Sequence, residues 1–153
     1  MWDKTGNADT FFSYNANLVD FARDVKKVQD GVQTALEALE KLRVKMVPSM
    51  RTGKIFAINL ASAMPDFTSD FAGSDDVFPS ATMFDIEAAK VHETYMKCVR
   101  DDENHNDQGN KGAFYQDSKY ILLVVAKYES DAKCEELCAK IPCSDQFMKY
   151  IIS

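Results

Sequence analysis

FFSYNANLVDFARDVKKVQDGVQTALEALEKLRVKM, residues 11–46, is the stretch around which the rest of the chain must be arranged. Phe11, Tyr14, Leu18, Phe21, Val25, Val28, Val32, Ala35, Leu39, Leu42 and Met46 follow one another at alternating spacings of three and four. On an α-helix that spacing is a heptad seam, an apolar ridge that needs partner helices to leave water. It predicts one long helix, entered at Asp9 or Thr10 as N-cap and stopped at Pro48. About 38 residues at 1.5 Å each would span ~57 Å, longer than the ~40 Å diameter of a compact domain of this size. The particle is then elongated or dimeric, unless Gly31 marks a kink.

Downstream of Pro48, Ala57, Leu60, Ala61 and Met64 recur at helical spacing and predict a short helix or a continuation of the first. Pro65, Gly73 and Pro79 punctuate a loop that Phe67, Phe71 and Phe78 should pin to the core. Ser80 can cap a helix with the stripe Phe84, Ala88, Val91, Tyr95 and Cys98. Residues 101–112 contain no apolar side chain and read as a solvent-exposed connection. A third long helix is expected from Ala113 to Ile141, before Pro142. Its centre, residues 120–126, is apolar on every face and partly β-branched, so a buried strand is the alternative. The helix-compatible charged flanks favour helix. Ser144 can cap a last short helix over residues 146–152.

The expected fold is therefore all-α: a single helical domain over residues 1–153, an elongated antiparallel bundle of three long helices with short accessory helices. Two ridges and a third apolar segment offer more apolar length than one chain can comfortably hide. A homodimer longer than ~60 Å is expected, with Ile121, Leu122, Leu123, Val124 and Val125 at its interface.

The 153 residues, 46% of them hydrophobic, suffice for one sizeable core. A net charge of -6 argues against nucleic-acid binding, which needs a concentrated basic surface. No apolar run approaches the ~20 residues of a membrane span. The first residues are too polar for a secretory signal, so the chain is expected to be cytoplasmic, at most membrane-peripheral, or secreted if a signal was removed upstream. Cys134 and Cys138, four apart on one helix face, should not bond each other. Oxidation would tie one of them to Cys98 and the other to Cys143. Free, buried thiols in a reducing compartment are the favoured reading.

Catalytic chemistry finds little purchase. His92 lies beside an apolar stripe and His105 in the acidic stretch, and no phosphate loop, nucleophile elbow or His-Glu-x-x-His helix occurs. An EF-hand register starting at Asp102 puts Asp107 and Ala113 where Gly and Glu are required. Cys134, Cys138 and Cys143 with a histidine would be an awkward zinc set. A non-enzymatic protein without cofactor is expected. Its most informative charge feature is Lys41, Arg43, Lys45, Arg51 and Lys54, an acid-free basic cluster that would draw an acidic protein partner or an anionic lipid surface.

The long first helix, the breaker followed by Thr52-Gly53-Lys54-Ile55-Phe56-Ala57, the segment ending at Phe71, and Lys-Tyr-Glu-Ser-Asp-Ala at 127–132 together resemble the BAR-domain superfamily of membrane-curvature proteins. The resemblance implies three long helices per chain, dimerisation into a curved six-helix bundle, and membrane-surface binding. The expected function is thus a helical scaffold for a partner or membrane. The alternative is a secreted, disulfide-stapled helical bundle acting as a ligand or receptor-binding module.

Overall fold

The computed structural model describes residues 1–3 and 7–152, without the side chains of residues 3, 8, 9 and 152. Residues 11–46 do not form one helix. The chain runs β1 (Trp2–Asp3), α1 (Ala8–Asn15), β2 (Asn17–Asp20), α2 (Phe21–Gln29) and α3 (Ala35–Thr52). It continues through β3 (Ile55–Ala61), α4 (Ser80–Met83), α5 (His92–Tyr95), β4 (Ile121–Ala126), α6 (Asp131–Ala139) and β5 (Ile151–Ile152). The strands form one parallel sheet in the order β2-β3-β4-β1-β5. The all-α bundle, the coiled coil and the three long helices implied by the BAR resemblance are therefore corrected to a mixed α/β fold.

Local chemistry explains where the ridge breaks. The α1 cap position is Asn7, Thr10 falls inside the helix, and the side chain of Asp9 lies outside the described residues. Asp20 closes β2 and caps α2, accepting from the Arg23 amide at 3.3 Å. Gly31, at φ 69°, ends α2 rather than kinking a longer helix. The Val32 amide reaches back to the Lys27 carbonyl at 2.8 Å and the Gly31 amide to Val28 at 3.0 Å, a Schellman closure. Thr34 and Glu37 then start α3 with a reciprocal capping box. Pro48 lies within α3 because the carbonyl it leaves without a donor is that of Val44, on the exposed side of the helix.

The ridge survives in pieces. Phe21 and Val25, then Leu39, Leu42 and Met46, are buried against one face of the sheet, formed by Val19, Phe56, Ile58, Leu60, Val124 and Ala126. β3, read as helical from four residues, is buried along its centre on both faces, and such strands lose the period-two alternation that would betray them. Residues 120–126 resolve to the strand alternative. The loop after β3 is pinned as expected: Phe67 lies on Phe21 with centroids 5.8 Å apart and on Phe84 at 4.9 Å. The second expected stripe is only short turns around α4 and α5, and the last helix is a 3-10 turn, Ser144–Gln146, before β5.

Crossovers β2 to β3, β3 to β4 and β4 to β5 all advance the same way across the sheet. The right-handed rule places their connections on one face and α1, which crosses back, on the other. The packing agrees. Phe12 of α1 is buried on the opposite face with Ala57 and Val125, flanked by Leu18 and Leu123.

Candidate functional site: an apolar cavity at an open strand edge

The site arises from a mismatch of strand lengths. β4 is six residues long and β1 only two, and their register pairs Trp2 with Ala126. The Ala126 amide donates to the Met1 carbonyl at 3.0 Å, and the Met1 nitrogen donates to the Val124 carbonyl at 2.7 Å. In a parallel ladder the N–H and C=O of one residue point to the same neighbour, and those of the next residue to the other. Leu123 and Val125 thus serve β3, whereas Leu122 and Val124 face the β1 side. There the Leu122 N–H, the Leu122 C=O and the Val124 N–H have no hydrogen-bond partner among the described residues. Opposite them, the amides of Met148, Lys149 and Tyr150 are also without one, before the chain enters β5.

Between these two walls lies a cavity of about 1100 Å³. Its apolar lining comes from Trp2, Met83, Phe84, Leu122, Val124, Leu137, Ile141 and Phe147, with the thiols of Cys134 and Cys138 on α6. Leu122 and Leu123, whose side chains point to opposite faces of the sheet, both line it, so the cavity opens onto the strand edge itself. Ile121, Met148, Tyr150 and Ile151 line it while more than half exposed. Lys90, Asp131, Glu135 and Lys149, all exposed, give its rim both signs of charge.

Polar groups inside are few. Tyr120 lines the cavity, and burial pushes its phenol above the ordinary range. Its hydroxyl has no hydrogen-bond partner among the described residues. Trp2, the single tryptophan, donates from Nε1 to the Tyr128 carbonyl at 2.8 Å. The Cys134 thiol is pushed up by burial and by the neighbouring Cys138.

In parallel α/β sheets ligands usually bind beyond the carboxyl ends of the strands. Here those ends are occupied by the chain's own needs. Asp20 caps α2, and the Asn59 side chain accepts from the Ala61 amide at 2.8 Å, where Ala61 takes a positive φ.

The basic cluster is acid-free in sequence but not in space. Lys41 pairs with Asp24. Arg43 is buried, and its guanidinium meets Glu103 at 2.5 Å, Glu40 at 2.8 Å and the Cys98 carbonyl at 2.8 Å. Burial alone would lower the Arg43 pKa, but the two carboxylates outweigh it and hold the charge. Arg51 lies 3.0 Å from Nε2 of His105, leaving Lys45 and Lys54 exposed. The acidic stretch is thus an anchor: Glu103 folds back onto α3.

All four cysteines are free thiols. Cys98 is buried in the core, where burial raises its pKa to about 11, and Cys143 lies 3.9 Å from Asp85 Oδ2. His92 is exposed. Among the described residues no group of His, Cys, Asp or Glu is placed to hold a metal ion, and no helix is long and apolar enough to cross a membrane. Of the residues expected at a dimer interface, Val124 and Val125 are buried within the chain's own sheet, and Ile121, Leu122 and Leu123 line the cavity.

Comparison with protein-family models, curated proteins and solved structures finds no match. Fold and site define a class by themselves: a parallel α/β domain with an apolar cavity at an unpaired strand edge.

Proposed function

We propose that this protein is a binding module that captures a predominantly apolar ligand in the cavity beside β4. The observation that carries this reading is a volume of about 1100 Å³ with apolar walls and an apolar, exposed rim. Ligand pockets are commonly concavities of ~300–1,000 Å³ with a few polar groups among apolar ones. Exposed apolar groups gathered in one place commonly mark a binding site. The balanced rim charges favour a neutral ligand over an ionic one. Within the basic cluster, Arg43 is held in an internal ion pair while Lys45 and Lys54 stay exposed.

The test is titration with the neutral probe N-phenyl-1-naphthylamine, followed by probe fluorescence and by quenching of Trp2. One saturable site per chain is expected. Cys134→Trp, which fills the cavity from α6, should weaken it at least about tenfold, equivalent to ~1.4 kcal/mol, with the melting temperature kept. Cys138→Trp is the second variant, should the first fail to fold. Absence of saturable binding, or equal binding by a folded cavity-filled variant, would overturn the reading.

A further inference from the structure

We infer that the ligand is an extended peptide segment that adds to the sheet as a strand, seated in line with β1 between β4 and residues 148–150. This rests on the cavity being a binding site and specifies its occupant. The argument is one of width and hydrogen bonding. β1 pairs β4 on one side and β5 on the other, so β4 and β5 stand two strand spacings apart, roughly 9.6 Å. Residues 148–150 lead directly into β5, so the slot facing Leu122 begins one strand wide. Both of its walls carry backbone groups without a partner among the described residues: the N–H and C=O of Leu122 and the N–H of Val124 on one, the amides of Met148 and Tyr150 on the other.

A purely aliphatic molecule would fill the volume but leave those donors and the Leu122 carbonyl unanswered. A peptide backbone presents complementary groups at the strand repeat, the mode by which exposed sheet edges bind extended chains. Alternate side chains of such a peptide would point to the helix face, against Phe84, Leu137 and Cys134, where apolar residues fit. The intervening ones would point toward the other face, which α1 covers mainly through Phe12. The partner chemistry is therefore a short extended segment with apolar, β-branched residues at every second position and little net charge.

The test uses the 153-residue protein and the peptide acetyl-Lys-Val-Thr-Val-Thr-Val-Glu-amide, read by amide hydrogen exchange. Peptide should protect the Leu122 and Val124 amides at least tenfold and leave the already paired Leu123 and Val125 unchanged. N-methylation of three alternate peptide amides should abolish that protection. Probe binding without peptide binding, or peptide binding without protection at Leu122 and Val124, overturns the inference while leaving the cavity reading intact. Binding of neither overturns both. Protection of those amides in the peptide-free protein, with sedimentation as a dimer, would assign the slot to a second copy and overturn the inference.

Discussion

Replacing Arg43 with methionine keeps the apolar stem of the side chain and removes the guanidinium with its charge and its donors. Arg43 is 3% exposed, whereas the side chains of its partners are less enclosed, Glu103 at 22% and Glu40 at 36%. Without the guanidinium, Glu103 loses the cation 2.5 Å away and the buried Cys98 carbonyl loses a donor at 2.8 Å. Breaking a buried pair from one side costs about 3–5 kcal/mol. Partial relief is at hand: the Arg100 amide donates to Glu103 at 3.0 Å, and the Arg100 guanidinium lies 3.4 Å from Glu40. The loss should fall near the lower end, about 3 kcal/mol. Urea unfolding at pH 7 measures it, with the double variant Arg43→Met, Glu103→Leu as control. Removing the stranded carboxylate should recover part of the loss, an interaction of the kind a double-mutant cycle isolates. A loss below ~1 kcal/mol, typical of a surface pair, would refute the view that the 101–112 stretch is anchored through Arg43.

Two further outcomes follow from the packing and the ionisations. Gly73→Ala should destabilise clearly more than Gly31→Ala: both glycines have positive φ, but a Cβ at Gly73 would sit 1.9 Å from the Phe78 carbonyl oxygen and one at Gly31 would meet nothing within 4 Å. Thermal melts of the two variants check this, and equal shifts would contradict the placement of the aromatic loop. Stability should also decline in alkali, because burial raises the Cys98 pKa to about 11 while an unfolded thiol titrates near ~8.5–9. The contribution is fully present below about pH 8.5 and lost as pH rises toward 11. Cys98→Ala should flatten the slope of unfolding free energy in that window, and an unchanged slope would contradict it.

Much of the local structure was written in the sequence, but at a finer grain than the heptad reading used. The Asp30-Gly31 turn and the Thr34-x-x-Glu37 capping box mark an end and a beginning inside residues 11–46. An unbroken apolar spacing masked them, because α2 and α3 both lean on the same sheet face and so keep the same ridge. Strands buried on both faces, such as β3, carry no alternation to set them apart from a buried helix. The β-branched run at 120–126 held the strand signal, and its charged flanks turned out to be a loop and the start of α6. The cavity had no comparable signal. It depends on β1 covering only the far end of β4, a relation between segments more than a hundred residues apart, and on residues 148–150 running a strand's width from β4. The ion pairing of Arg43 has the same origin, since Glu103 is sixty residues from Arg43.

Diffraction from crystals of the protein under xenon pressure tests the account most directly, because xenon enters apolar cavities without needing a matched ligand. The account predicts xenon sites between Leu122 and Val124 of β4 and Leu137 and Ile141 of the α6 side. A map with no xenon there, and with Phe147 and Met148 packed directly against Leu122 and Leu137, would contradict it.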